Sequence, residues 1–287
     1  MPTESPILAL DTSSINKLTA DPEFTVLVAG LKTGYHIRLN GSNIAEIAAT
    51  QNAEKRERLL DTCQRLLIQG DCIDPFNWIV EKHTKRFDAN PTDYDWKRVN
   101  VTNRVFEKEV TDRGSLNDEM ARQEKTSAEE SKKQFEELFC SMRPGFDKIF
   151  AKGTKRPETF ADFVKVLQKP GGAFWTGYGQ KFYARNVGDK PDEAKIRDFA
   201  GRCPPFLMMI RAAVMAQYKR AIVSTPPSKK RAGRVDLLTG VYLPYCHIFV
   251  TDDRDHARCL RDMGAVAGLE TEVLWYRSFR DRLVCIR

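Results

Sequence analysis

The chain has 287 residues, a formal net charge of +7 and a pI of about 9.0. This length allows one large domain or two modest ones, and the mild excess of basic residues permits a polyanionic partner without requiring one. No apolar run is long enough to cross a bilayer, so we expect no membrane-spanning helix. The segment MPTESPILAL lacks a basic region followed by a long apolar core, so we expect no secretory signal and a cytoplasmic location.

The first part of the chain alternates predicted strands and helices. An apolar strand at residues 6–11 ends on Asp11, and DTSSIN offers several caps for a short helix after it. Phe24–Lys32 fits a helix or a strand, Tyr35–Leu39 alternates like a strand, and NGSN opens a helix that continues to Leu67. This β-α-β-α order is typical of a parallel sheet covered by helices.

The middle of the chain, from about residue 71 to 220, follows a different pattern. Residues 101–140 are rich in charge with sparse apolar positions, which predicts one or two long, solvated helices. Phe206–Val223 predicts a buried helix, whereas the glycine-rich stretch GGAFWTGYGQKFYARN predicts a loop. The aromatic residues of that stretch could stack on unpaired bases, although core packing is the favoured interpretation. They are Phe174, Trp175, Tyr178, Phe182 and Tyr183, interleaved with Lys181 and Arg185.

The alternation of strands and helices resumes near the C-terminus. Val235–Tyr245 predicts a helix, Ile248–Thr251 a short buried strand, and Asp252–Met263 a helix closed by Gly264. A last strand is predicted at Thr271–Tyr276. We therefore predict an α/β protein with a central parallel sheet. Its discontinuous domain comprises residues 1–70 and 221–287, and a mostly helical insertion comprises residues 71–220.

Four acidic residues stand where a predicted strand ends or a helix begins: Asp11, Glu46, Asp236 and Asp253. Each has a local explanation. Asp11 could cap the turn after its strand, and Asp252 or Asp253 could cap the final long helix. Glu46 could form a capping box with Asn43, and Asp236 suits a first helical turn. The carboxyl ends of parallel strands nevertheless meet at one edge of a sheet, where ligands bind. Carboxylates gathered there would repel one another, and a hard divalent cation is the natural compensation.

The order of these acidic residues resembles that of the PIN-domain nucleases. The matching segments are Asp11 in LALDTS, Glu46 in NIAEIA, Asp236 in GRVDLL, and Thr251 with Asp253 in FVTDD. The resemblance covers roughly the first seventy and last sixty residues. The sequence departs from the family in its greater length and in Val235, where a polar residue is common.

The resemblance implies a three-layer α/β/α domain that binds Mg²⁺ or Mn²⁺ and cleaves RNA, usually single-stranded. Asp11, Glu46, Asp236 and Asp253 would be metal ligands, and Asp252 and Asp255 are alternatives for the fourth. Thr251, with Thr12 or Ser13, would orient a ligand or water. These implied roles make the site a candidate for metal-assisted hydrolysis of a phosphodiester.

A basic segment lies directly before Asp236 and could contact phosphates of a nucleic acid, or could equally be a solvated loop. Its cations are Lys229, Lys230, Arg231 and Arg234. Seven scattered cysteines without a CxxC pair indicate reduced thiols. Cys246, His247, His256 and Cys259 allow a zinc site, but their spacing fits no usual finger, and core cysteines beside surface histidines are favoured.

The functional hypothesis is a metal-dependent endoribonuclease whose helical insertion gates the substrate or binds a partner. In one variant of it, the protein is a toxin or defence effector that an inhibitory protein holds off through the insertion. Alternatives are a DNA nuclease and a non-catalytic PIN-like module that binds RNA or protein. The oligomeric state is left open, with a homodimer among the alternatives.

Overall fold

The computed structural model describes residues 5–68, 70–111, 118–149, 157–221 and 236–285. It contains five strands: β1 (Ile7–Leu10), β2 (His36–Asn40), β3 (Gly70–Ile73), β4 (Ile248–Thr251) and β5 (Glu272–Trp275). They form one all-parallel sheet in the order β3-β2-β1-β4-β5. The predicted α/β class with a central parallel sheet is therefore confirmed.

Helices connect the successive strands, and one more helix follows the last strand. They are α1 (Thr12–Thr19), α2 (Phe24–Gly34), α3 (Gly41–Ala48), α4 (Ala53–Leu67), α5 (Phe76–Ala89), α6 (Arg104–Thr111), α7 (Asp118–Ile149), α8 (Phe160–Leu167), α9 (Gln180–Val187), α10 (Glu193–Arg202), α11 (Pro204–Ala221), α12 (Arg254–Ala267) and α13 (Tyr276–Cys285). Short 3₁₀ helices span Trp96–Arg98 and Asp236–Tyr245, and a π-helix spans Phe174–Gly179. None of the described helices combines the length and apolarity needed to span a bilayer.

Both faces of the sheet are buried, each in its own core. Successive residues of a strand point to opposite faces, so neighbours in β1 belong to different cores. Leu8 and Leu10 of β1 join a core with α1, α2 and α4, whereas Ala9 between them joins the core on the other face. That second core is the larger one and contains the aromatic residues of α8 to α11, such as Phe163 and Phe206. The helices between β3 and β4 therefore share a continuous core with one face of the sheet.

Several predicted boundaries differ from the observed ones. The helix predicted from NGSN to Leu67 is two helices, α3 and α4, separated by Ala49–Asn52. Strand β3 was not predicted, and it crosses the domain boundary placed at residue 70. Helix α12 passes through Gly264 and ends at Ala267, and its C-cap, Gly268, adopts the left-handed conformation with φ of 68°.

The segment predicted as an aromatic loop is instead helical. It forms the π-helix at Phe174–Gly179 and continues into α9. Four of its aromatic side chains, those of Phe174, Tyr178, Phe182 and Tyr183, are almost completely buried. Core packing, the favoured interpretation of these residues, is confirmed. Trp175 is partly buried, donates through Nε1 to the carbonyl of Gln168 and lies under the guanidinium of Arg197.

Candidate active site

The strand order reverses between β1 and β4, which are neighbours in the sheet although far apart in the chain. In open parallel sheets, the crevice beyond the carboxyl ends of two such strands is where ligands bind. Asp11 follows β1, and its backbone N–H donates to the carbonyl of Val250 at 3.0 Å. Thr251 ends β4 directly beside it. The two residues therefore stand at the switch point of the sheet.

Asp11 caps α1 and is bound to β4 through the same carboxylate. Its Oδ1 accepts from the N–H of Ser14 at 2.8 Å and from the Ser13 hydroxyl at 2.7 Å. Its Oδ2 accepts from the Thr251 hydroxyl at 2.6 Å. The local explanation as a helix cap is therefore confirmed, and it coexists with a contact to the neighbouring strand that capping does not require.

His256 belongs to the same network and was not predicted as part of the site. Its ring Nδ1 lies 3.4 Å from Thr251 Oγ1 and 3.7 Å from Asp11 Oδ2, and its Nε2 lies 2.9 Å from Thr239 Oγ1. The Thr239 hydroxyl donates to the carbonyl of Asp236 at 2.7 Å. Because both hydroxyl protons are engaged elsewhere, either oxygen can accept from whichever ring nitrogen carries a proton. His256 thereby links the segment that begins at Asp236 to Asp11.

This network sets the charge state of Asp11. Burial alone would raise the pKa of the Asp11 carboxyl. The hydrogen bond and charge of His256, together with hydrogen bonds from Thr251 and Ser14, outweigh burial and hold that pKa below its usual value. Asp11 is therefore kept as a carboxylate at neutral pH.

The prediction of a surface histidine was wrong for His256, which is only 3% exposed. His256 lies beyond the carboxyl end of β4, whereas His247 precedes that strand and accepts from the N–H of Ile7 at 2.9 Å. The two histidines of the zinc alternative are thus at opposite ends of β4. The sequence signal available for His256 was its place three residues after the helix cap Asp253, which puts it in the first turn of α12.

Glu46 lies on the second turn of α3 and has no capping role. The helix begins at Gly41 and its cap is Asn40, whose side chain accepts from the N–H of Asn43 at 2.9 Å. The capping box of Asn43 with Glu46 was therefore a wrong alternative, because Asn43 is already inside the helix.

The surroundings of Glu46 include two of the other acidic residues. Glu46 is exposed, yet desolvation by the surrounding protein raises the pKa of its carboxyl. Hydrogen bonding by Thr12 opposes this shift, whereas the negative charges of Asp236 and Asp11 add to it. Carboxylates from two other segments therefore act on Glu46 at the carboxyl edge.

The three aspartates after Thr251 have different partners. Asp253 caps α12, with Oδ1 accepting from the N–H groups of Asp255 and His256 at 2.8 and 3.0 Å. Its own N–H donates to Thr251 Oγ1 at 3.2 Å, which connects it to the network of Asp11. Asp252 lies 3.6 Å from Lys17.

Asp255, by contrast, is neutralised by cations. It forms ion pairs with Lys219 and, at 2.5 Å, with Arg258. Partial burial would raise the pKa of Asp255, but these two cations lower it below the usual value. Asp252 and Asp253 are both linked to Asp11 through their backbone N–H groups, Asp253 by way of Thr251 and Asp252 by way of Ser13.

The fit of this site to a metal ion depends on donor chemistry. Within the described ranges, no three His, Cys, Asp or Glu side chains are arranged so that they could hold a metal ion. The donor set itself suits Mg²⁺ or Mn²⁺, because carboxylate oxygens are the ligands of hard cations. The raised pKa of Glu46 beside two like charges is also the electrostatic situation that a divalent cation would relieve.

The predicted basic contact with nucleic acid lies outside the described residues, since Lys229, Lys230, Arg231 and Arg234 all fall between residues 222 and 235. Comparison of the chain with known proteins finds no matching family model, no matching curated protein and no matching solved structure. The functional conclusion therefore depends on the chemistry of the carboxyl edge.

Proposed function

We propose that this protein is a PIN-like, metal-dependent endoribonuclease that hydrolyses phosphodiester bonds of single-stranded RNA at the carboxyl edge of its sheet. The observation that supports this most is the effect of Asp11 and Asp236, from two segments distant in sequence, on Glu46, whose pKa their negative charges raise in addition to desolvation. A helix cap requires no such grouping. Like charges gathered at a ligand-binding switch point are expected where a cation and a phosphate bind.

In this proposal Asp11, Glu46, Asp236 and Asp253 would hold Mg²⁺ or Mn²⁺, and the cation would supply an activated water and neutralise charge on the phosphate. Asp11 is the anchor of the set because its carboxylate is held by Thr251, Ser13 and Ser14 before any ligand binds. His256 keeps Asp11 ionised, so that its oxygens are available for a cation at neutral pH. The helices between β3 and β4 would limit access to the carboxyl edge or bind a regulatory protein.

The experiment is cleavage of a fluorescently labelled single-stranded RNA by the purified full chain with Mn²⁺, compared with the double variant Asp11→Asn/Asp236→Asn. We expect cleavage that requires Mn²⁺ and that the double variant loses, with unchanged circular dichroism. Asn retains capping ability at residue 11, so the fold is preserved. Undiminished cleavage by the double variant would refute the assignment.

A matched control is Asp281→Asn, which neutralises an exposed carboxylate on α13. This variant is expected to cleave RNA like the unmodified chain. The same oligomer made as DNA distinguishes the alternative of a DNA nuclease, and a lack of cleavage together with retained RNA binding would indicate the non-catalytic module.

A further inference from the structure

A cation and an aromatic ring are stacked beside the carboxylates. The guanidinium carbon of Arg254 lies 3.8 Å from the ring centroid of Trp275. Arg254 is the first residue of α12, directly after Asp253, and Trp275 is the last residue of β5. In the sheet, Trp275 is the register partner of Thr251, so the stack stands one strand, about 4.8 Å, to the side of the residue that holds Asp11.

The indole of Trp275 is fixed by a hydrogen bond to the backbone. Trp275 Nε1 donates to the carbonyl of Asp252 at 3.1 Å, which ties the ring to the segment between β4 and α12. The ring is therefore positioned by the same turn that carries Asp253. A guanidinium resting on a fixed ring has lost much of its conformational freedom before any ligand arrives.

Stability of α12 does not explain a cation at this position. A positive charge in the first turn of a helix is unfavourable, because that end of the helix dipole is itself positive. The structure also gives Arg254 no ion pair with any described carboxylate, unlike Arg258 with Asp255 and Arg280 with Asp21. Arg254 is exposed at the start of α12, beside the carboxyl end of β4, so a ligand can reach its guanidinium from solvent.

A planar cation held in this way matches the chemistry of unpaired nucleotides. Bases stack on guanidinium planes as well as on aromatic rings, and guanidinium N–H groups are suited to phosphate oxygens. A second exposed cation, Lys17, lies 3.6 Å from Asp252 on the same rim. A strand crossing the carboxylates would thus meet positive charge beside an acidic site that otherwise repels it.

We propose that the Arg254–Trp275 stack is a binding platform for one nucleotide of single-stranded RNA, adjacent to the phosphate at the carboxylates. The base would lie on the outer face of the guanidinium, and the neighbouring phosphate would accept from its N–H groups. This inference rests on the proposed function, since it defines the part of the substrate that flanks the bond to be cleaved.

The test measures binding without cleavage. Fluorescence anisotropy of a fluorescein-labelled oligouridylate is followed in EDTA, with Asp11→Asn in the full chain as the parent protein. Arg254→Gln should raise Kd about tenfold, the size expected for one stacked base. It should also reduce the slope of log affinity against log salt by about 0.7, the effect of one phosphate contact on a single strand. Arg254→Lys should preserve the salt slope while losing part of the affinity, because an ammonium keeps the charge but not the plane.

The control is Arg261→Gln, which removes an exposed cation from the same helix at a distance from the stack. We expect it to leave both the Kd and the salt slope nearly unchanged. Equal effects of Arg254→Gln and Arg261→Gln would overturn the platform, since only the net charge would then matter.

The two proposals fail separately. If the unmodified chain cleaves RNA but Arg254→Gln binds like its parent, the platform is wrong and the nuclease stands. If RNA is bound through Arg254 but is never cleaved with Mn²⁺, the platform stands and the nuclease is wrong.

Discussion

The hydroxyl of Thr251 donates a hydrogen bond of 2.6 Å to Asp11, joining two residues that are 240 positions apart in the chain. This bond joins the carboxyl ends of β1 and β4 at the switch point of the sheet. It orients the carboxylate on which the proposed chemistry depends. It also leaves Thr251 Oγ1 to accept from Asp253 and, at a longer distance, from His256. One buried hydroxyl therefore connects the carboxylate of Asp11, the backbone N–H of Asp253 and the ring of His256.

Thr251→Val should impair the site more than the fold. Valine has nearly the same shape but leaves Asp11 Oδ2 without this donor, so we expect a loss of about 1–3 kcal/mol in the free energy of unfolding. The apparent affinity for Mn²⁺ and the rate of RNA cleavage should fall about 10–100-fold, as for other groups that orient metal ligands. Thr251→Ser, which restores the hydroxyl, should recover most of both. Equal Mn²⁺ affinities for the Val and Ser variants would argue against a positioning role.

Glu46→Gln should separate stability from activity. The negative charges of Asp236 and Asp11 disfavour the ionised form of Glu46, so removing its charge relieves repulsion when no metal is bound. Because water screens this partly accessible side chain, we expect only a small rise of about 1–2 °C in Tm in EDTA. Calorimetry with and without Mn²⁺ should show that the metal stabilises the unmodified chain but not the variant. A lower Tm in EDTA would indicate that Glu46 is a structural residue.

The free energy of unfolding should decrease as the pH falls because of His83, which is fully buried between two tyrosine hydroxyls. Its ring nitrogens lie 2.8 Å from the Tyr94 hydroxyl and 2.6 Å from that of Tyr245. Burial lowers the pKa of His83 to about 4, from about 6.5 in an unfolded chain. Between these values the unfolded state binds a proton that the native state does not, so stability is full above about pH 6.5 and is lost as the pH falls toward about 4.

The matching variant is His83→Gln, studied by urea denaturation at several pH values. The histidine adds up to about 1.4 kcal/mol per pH unit to the acid dependence across this window. The variant should start from a lower free energy of unfolding near pH 7, because two hydrogen bonds are altered, but should lose less on acidification. Parallel pH profiles would show that the ring becomes protonated within the folded protein.

Arg211→Met should stabilise the protein. The Arg211 side chain is buried in α11, and its Nε and Nη1 find no hydrogen-bond partner among the described residues. Burial alone lowers the pKa of Arg211 to about 10, which reflects the cost of an uncompensated charge. Methionine fills a similar volume without that cost, so we expect a gain of about 1–3 kcal/mol in urea denaturation.

Arg56→Met is the appropriate contrast to this substitution. Arg56 is equally buried, but its Nη1 donates to the carbonyl of Thr50 at 2.7 Å. Its replacement should therefore destabilise the chain by leaving a partly buried carbonyl without its donor. If Arg211→Met is as destabilising as Arg56→Met, the Arg211 side chain has a native role that its lack of partners does not reveal.

Short-range patterns determined much of the architecture. The buried run IFVT predicted β4 because a central parallel strand is apolar on both faces, and the caps Asp11 and Asp253 were predicted because they act on N–H groups within three residues. Strand β3 escaped prediction since Gly70–Ile73 carries only two apolar residues, and its pairing with β2 is what makes it a strand. The aromatic segment from Phe174 was misjudged because its glycines suggested a loop, whereas tertiary packing buries its rings in a helix.

The sequence by itself determined which carboxylates follow a strand or begin a helix, because each depends only on its immediate neighbours. Tertiary structure alone decided that β1 lies beside β4, and hence that Thr251 meets Asp11, that His256 turns inward, and that Arg254 rests on Trp275 next to them. Those contacts join segments as much as 240 residues apart. They form only when the whole sheet is assembled, since no local pattern encodes which strands become neighbours.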